Sequence, residues 1–146
     1  MSLSPKELMR GNIVSFDGKT RIVKAVSELI MLEGDKNWIG GSLMNGEPIS
    51  EVWLQKLGFQ EVTYTDGGKY MQMDRTNYSS DPYNFQKSWK CYRMRKHNDD
   101  WYFETHKNNT GHLFSFQEKC NYVHRLQILF FSFTGEHLPI PKLPKK

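Results

Sequence analysis

The sequence NYVHRLQILFFSFTGEHL, residues 121–138, decides the fold because it carries the strongest helical pattern in the chain. Its large apolar side chains recur every three or four positions; they are Tyr122, Val123, Leu126, Leu129, Phe130 and Phe133. That spacing predicts a helix with one wide apolar stripe. Gly135 is placed to end the helix as a left-handed C-cap, and the prolines that follow prevent its continuation. A helix with this much apolar surface must pack on another element, and we expect a sheet formed by the preceding residues.

The first third of the chain has the pattern of short strands separated by glycine turns. Asp17-Gly18 is a strong signal for a two-residue hairpin. The strands are predicted at residues 12–16, 20–26, 29–32 and 38–39. Because short strands at close spacing favour curved sheets, we expect a strongly curved sheet here, SH3-like or a partial barrel.

The middle of the chain predicts one short helix followed by antiparallel strands. Ser50 is a plausible N-cap, and Gly58 ends the helix. The following strands are predicted at residues 59–64, 69–73, 89–96 and 101–106, with a long polar loop at 75–87. Residues 113–116 are either a last strand or the approach to the final helix, since Ser115 and Glu118 match a capping box.

These elements together predict an α+β fold with a mostly antiparallel sheet, one short central helix and a long C-terminal helix packed on the sheet. We expect one domain over residues 1–141, with a possible N-terminal β subdomain at 10–49. Residues 142–146 form a basic, proline-containing tail that we expect to be flexible.

Composition places few limits on function. The chain has 146 residues, a formal net charge of +4 and a sequence pI near 9.0, a mild excess that indicates weak attraction to polyanions. The sequence has neither an apolar run of membrane-spanning length nor a signal-peptide core, so we expect a cytoplasmic protein with no membrane partner. Its two cysteines do not form a disulfide framework.

The residue types that carry most enzyme chemistry do not form recognisable motifs. The five histidines and two cysteines lack the paired short spacing of zinc sites, so we predict neither a metal site nor a cofactor. Cys120 and His124 are the one candidate nucleophile and base, although a buried, inert thiol is the simpler interpretation. We therefore assign no catalytic residue and lean against an enzyme. His124 and Gln127 are the polar members of the final helix, and we expect both to be buried and bonded to sheet backbone.

The stretch KSWKCYRMRK, residues 87–96, is the best candidate for a binding surface. On an extended strand, Trp89, Arg93 and Arg95 share one face and could contact phosphates and stack a base. Three aromatic residues in or beside the neighbouring polar loop, Tyr78, Tyr83 and Phe85, add to this interpretation. The simpler alternative is a solvated sheet face opposite the core, on which long arginine side chains cover an aromatic ring.

Three segments of the chain resemble a known group of proteins. They are YVHRLQ with FTGEHL in the final helix, LMRGNIV at residues 8–14, and EVWLQKLGF at residues 51–59. Taken in their order along the chain, from the N-terminal segment to the final helix, they resemble small proteins, without an established function, from Bacteroidetes genomes and their phages or integrated elements. The resemblance implies a phage or mobile-element context and no particular activity.

Three functional hypotheses follow from the sequence. The first is a non-enzymatic accessory protein that binds nucleic acid or a protein partner. The second is a homo-oligomeric interaction or structural module, because Ile128 and Phe131 lie off the main apolar stripe of the final helix. The third is a thiol-dependent enzyme that uses Cys120 and His124.

Overall fold

The structure is a computed structural model that describes residues 3, 7–27, 29–41, 44–63, 69–78, 87–109 and 112–141. For residues 74–78, 87–91, 106–109 and 112–115 it describes the backbone alone. The elements are β1 (Ile13–Phe16), β2 (Lys19–Val26), β3 (Ile30–Leu32), β4 (Met44–Gly46), α1 (Glu51–Lys56), β5 (Gln60–Thr63), β6 (Lys69–Tyr78), β7 (Lys87–His97), β8 (Asp100–Asn109), β9 (His112–Lys119) and α2 (Val123–Thr134).

The strands form two antiparallel sheets, which confirms the α+β class. The first sheet has the strand order β3-β2-β1-β4, and the second has the order β5-β6-β7-β8-β9. Each order runs from one edge strand to another, and the sheets are neither closed nor strongly curled. The expectation of a strongly curved sheet is therefore not confirmed, and an SH3-like arrangement or partial barrel stays a prediction.

The first hairpin forms where the sequence predicts it. Phe16 pairs with Lys19, so Asp17 and Gly18 are a two-residue loop with φ of 52° and 72°. These positive φ angles belong to a type I′ turn, whose twist matches that of the two strands. The predicted strand at 38–39 is instead a single bridge from Ile39 to Ile30, and residues 44–46 supply the fourth strand.

The chain divides into two compact units. One unit comprises Met1–Trp53 with Asn121–Lys146, and the other comprises Leu54–Cys120, so the division falls inside α1. Ser50 caps α1 as predicted, because its Oγ accepts a hydrogen bond from the Trp53 N–H at 3.2 Å. A single domain over 1–141 and a β subdomain at 10–49 stay predictions, and the tail at 142–146 lies outside the described residues.

The core of the first unit lies along its sheet. The buried residues are Leu3, Leu8, Val14, Val23, Ile30, Leu32 and Met44, with Phe16, Val26 and Ile39 packed against them. Helix α2 contacts β1 of this sheet. The side chain of Gln127 joins the two elements: its Oε1 accepts from the Ile13 N–H at 2.8 Å and its Nε2 donates to the Gly11 carbonyl at 2.9 Å. The prediction that Gln127 bonds to sheet backbone is confirmed.

Helix α2 is shorter than the segment 121–138 that predicts it. It ends as expected at Gly135, which has φ of 70° and donates its N–H to the Phe131 carbonyl at 2.8 Å. The capping-box alternative was wrong, because Ser115 and Glu118 lie in β9 and the helix begins at Val123. Pairing with β8 continues through Lys119, so the chain turns into the helix only afterwards.

Candidate functional site

Strand β7, which carries the predicted binding residues, is the central strand of the second sheet. Its residues alternate between two environments, as the period of a strand requires. Tyr92 and Met94 are fully buried, whereas Arg93 and Arg95 point to the other face and are half-buried. The predicted sharing of a face by Arg93 and Arg95, opposite the core, is confirmed.

One row of polar side chains crosses all five strands on this face. Paired register positions define it: Gln60, Gln72, Arg93, Glu104 and Gln117. The next row contains Arg95 opposite Tyr102, which in turn pairs with Lys119. We call Tyr70, Gln72, Arg93, Arg95, Tyr102, Glu104 and Gln117 the polar face.

Arg93 lies between an amide and an aromatic ring. Its Nε donates to Gln72 Oε1 at 2.9 Å, and its guanidinium carbon lies 5.5 Å from the centre of the Tyr70 ring. That separation falls within the range of cation–π attraction. The contact is the arginine-over-aromatic arrangement that the simpler interpretation of this strand anticipated. It also presents a cation and an aromatic ring side by side.

Glu104 is the acidic centre of the polar face. Its side chain is 11% exposed, and its Oε1 receives both Arg95 Nη2 at 3.2 Å and Gln117 Nε2 at 3.1 Å. Arg95 is more accessible, with 40% of its side chain exposed. Within the described part of the chain, the Nε of Arg95 is buried without a hydrogen-bond partner. The guanidinium of Arg95 therefore leaves at least one of its N–H donors without an acceptor in this position.

A second ion pair lies on the same side of the sheet. Lys119 Nζ is 3.3 Å from Asp100 Oδ2, and both side chains are more than one-third exposed. Pairs of this kind contribute little to stability. Among the described side chains on this side of the sheet, three are cations and two are carboxylates, which leaves a mild positive charge. The cations are Arg93, Arg95 and Lys119, and the carboxylates are Asp100 and Glu104.

The other predicted binding residues are less completely described. Position 89 belongs to the same alternating set of β7 as positions 93 and 95, and its backbone pairs with Thr76 and Asn108. Tyr78 is the last residue of β6, opposite Lys87. The predicted loop at 75–87 was therefore wrong over 75–78 and at 87, where pairing between β6 and β7 extends both strands. Tyr83 and Phe85 lie outside the described residues.

Sequence reasoning missed Tyr70, Gln72, Tyr102, Glu104 and Gln117. A usable signal existed for the residues of β8. Asn98 and Asp99 form a two-residue loop with φ of 49° and 68°, so His97 pairs with Asp100 and the register places Glu104 opposite Arg93. The partners on β6 and β9 depend on the register of pairing with β7 and β8, which alternation within one segment does not indicate.

Cys120 and His124 are both buried. Cys120 is 1% exposed and ends the second unit, and its backbone N–H donates to the Trp101 carbonyl at 2.7 Å. His124 belongs to the first unit and is 3% exposed. Burial lowers the pKa of His124; the Glu7 carboxylate raises it and Arg125 lowers it further, both to a smaller extent. A thiol nucleophile needs access to its substrate, and neither side chain has that access in this arrangement.

The described residues contain no group of three or more His, Cys, Asp and Glu side chains placed to hold a metal ion. Within the same ranges, neither helix has the length and apolar character needed to cross a lipid bilayer. Comparison of the chain with protein-family models, with curated proteins and with solved structures gave no match. The resemblance to Bacteroidetes and phage proteins stays a prediction.

Proposed function

We propose that this protein is a non-enzymatic accessory protein that binds single-stranded nucleic acid on the polar face. The observation that carries the proposal is the pair of half-exposed arginines on the side of β7 opposite the buried Tyr92 and Met94. Half-buried tyrosines, Tyr70 and Tyr102, accompany them on the neighbouring strands.

This combination suits an unpaired strand better than a duplex. Arginine guanidinium groups bind phosphates, and tyrosine rings provide platforms on which exposed bases stack. An open sheet presents both kinds of side chain across several strands, as single-strand binding sheets do. A duplex keeps its bases stacked internally, so the tyrosines would contribute little to binding it.

The competing interpretation is that the side chains of the polar face bond only to one another and bind no ligand. Arg93 contacts Gln72 and Tyr70, and Arg95 is paired with Glu104. A face whose charged groups are already paired within the protein needs no ligand to pair them. The two interpretations differ in one measurable property, which is salt-sensitive binding that depends on the two arginines.

The experiment is a titration of the full chain against fluorescent single- and double-stranded oligonucleotides at about 50 mM and about 200 mM salt. We expect preferential binding of the single strand that weakens at the higher salt concentration. Arg93→Ala with Arg95→Ala should abolish most binding and make the logarithmic salt dependence shallower by about 1.4, two phosphate contacts at about 0.7 each.

The matched control is Arg10→Ala with Lys24→Ala, which removes two exposed charges from the first unit. If this control weakens binding as much as the arginine pair does, net charge rather than the polar face accounts for binding. Absence of binding by the unaltered chain at about 50 mM salt would refute the proposal. Thermal unfolding of each variant establishes that it is folded.

A second candidate function is association between copies of the chain through the outer side of α2. Phe131 is 37% exposed and Ile128 is half-buried on this helix. Sedimentation equilibrium measures the mass in solution. A doubled mass that Phe131→Ser returns to the monomer value would support this candidate, and a monomer at high concentration would exclude it.

The cellular context is also a proposal. The resemblance of the N-terminal segment, α1 and α2 to Bacteroidetes and phage proteins supports a role in a phage or mobile element, and a cytoplasmic location stays part of this proposal. A thiol-dependent activity of Cys120 with His124 ranks third, since burial of both residues weighs against it. Rapid alkylation of Cys120 in the folded protein at neutral pH would revive that hypothesis.

A further inference from the structure

Glu104 lies beside both arginines of the polar face. It is directly opposite Arg93 in the strand register, and its Oε1 is 3.2 Å from Arg95 Nη2. An anionic ligand that approaches these arginines therefore meets a carboxylate that already neutralises part of their charge. Removing this charge should change binding more than removing any carboxylate farther from the two arginines.

The carboxylate is held in place rather than free to swing aside. Its side chain is 11% exposed, and Gln117 Nε2 donates to the same Oε1 at 3.1 Å. Arg95 is the more exposed partner, and its buried Nε lacks an acceptor among the described residues. Arg95 therefore loses comparatively little when it turns outward, because a phosphate can accept two parallel hydrogen bonds from its fork.

We propose that Glu104 is an internal competitor that sets the affinity and selectivity of the polar face. In the unbound protein Glu104 occupies Arg95, and a ligand phosphate binds by taking the guanidinium from it. A ligand that offers only phosphate charge must compete with the Glu104 carboxylate for Arg95, so it gains no net affinity. A ligand gains net affinity only when its bases also stack on Tyr70 and Tyr102. The face would then select unpaired, stackable strands over simple polyanions. The inference rests on the proposed function.

The test compares Glu104→Gln with the unaltered chain. The probe is a fluorescent oligothymidylate, and heparin is the stacking-free polyanion. Glutamine keeps the shape and an acceptor oxygen but removes the charge, so we expect roughly tenfold tighter oligothymidylate binding, the value of one charge-assisted hydrogen bond. The logarithmic salt dependence should steepen by about 0.7, the contribution of one added phosphate contact. Heparin binding should increase by a larger factor, because the selectivity against it is lost.

Asp100→Asn is the matched control, because it removes one carboxylate from the same side of the sheet, where that carboxylate pairs with Lys119. An equal gain from Asp100→Asn and Glu104→Gln would overturn the inference, as would an unchanged or weaker affinity of Glu104→Gln. In either case the proposed function would stand if the unaltered chain binds through Arg93 and Arg95. Failure of every variant to bind would instead refute the proposed function. Thermal unfolding verifies the fold, and Glu104→Thr replaces Glu104→Gln if the latter does not fold.

Discussion

Gln127 is the polar residue on which the docking of α2 depends most directly. Its side chain accepts from the Ile13 N–H and donates to the Gly11 carbonyl. Gln127→Leu would leave the buried Ile13 N–H and the half-buried Gly11 carbonyl without their partner, and a buried group that loses its partner costs about 1–3 kcal/mol. We therefore expect the free energy of unfolding to fall by at least about 1 kcal/mol, measured by urea denaturation.

A control on the same helix separates this effect from helix propensity. Ser132 is exposed and donates only to the Ile128 carbonyl of its own helix, so Ser132→Ala should change stability by less than about 0.5 kcal/mol. Equal stability of Gln127→Leu and the unaltered chain would mean that water or a local rearrangement satisfies the Ile13 and Gly11 groups.

His124 makes stability depend on pH. Burial lowers its pKa from the ordinary value of 6.5, so below pH 6.5 the unfolded chain binds a proton more readily than the folded chain. The contribution of His124 to stability is complete above pH 6.5 and is lost as the pH falls from 6.5 toward the lowered pKa. We expect the unaltered chain to lose more stability than His124→Asn between about pH 7.5 and about pH 5.5 in urea titrations.

The exposed His137 provides the comparison for this prediction. His137→Asn is the matched control, because it makes the same substitution at an exposed position. If His124→Asn shows the same pH dependence as His137→Asn, burial of His124 does not govern acid stability. Among the described residues, the buried Nδ1 of His124 has no hydrogen-bond partner. This is consistent with a neutral ring in the folded protein.

The β7–β8 hairpin is the element that builds the polar face, because its loop determines which residues oppose each other. Asp99 has φ of 68° in this two-residue loop, a conformation that costs an ordinary residue about 1 kcal/mol and glycine almost nothing. Asp99→Gly should therefore stabilise the protein by about 0.5–1 kcal/mol in thermal or urea unfolding.

Asp99→Ala removes the same carboxylate but keeps a Cβ, so it should not stabilise the hairpin. Equal stabilisation by both variants would attribute the effect to charge and not to backbone conformation. The register that places Glu104 opposite Arg93 should survive in Asp99→Gly, and its oligonucleotide affinity should match that of the unaltered chain.

At the scale of the whole molecule, the first unit is built from both ends of the chain. The Ile49 N–H donates to the Asn121 carbonyl, the Val123 N–H donates to the Glu47 carbonyl, and Gln127 bonds to β1. Deletion of residues 121–146 removes all of these partners at once. We expect the amide protons of β1–β4 to lose most of their protection from hydrogen exchange. Full protection of β1–β4 in the truncated chain would show that the sheet is stable without α2.

The sequence by itself determined the local features whose physical causes are local. Asp17-Gly18 specifies its hairpin through backbone conformation, Ser50 caps α1, and Gly135 ends α2. Alternation along β7 was enough to place Arg93 and Arg95 opposite Tyr92 and Met94. The apolar stripe of residues 121–134 indicated a helix that packs on a sheet.

The tertiary structure alone decided what depends on partners distant in sequence. Residues 75–78 and 112–119 became strands because neighbouring strands satisfied their backbone groups, although their composition favours loops or a helix cap. The strand order of each sheet depended on pairings between distant segments, which local propensity does not fix. The position of Glu104 beside two arginines follows from the register of β8 against β7, and strand pairing is a property of the sheet and not of any one segment.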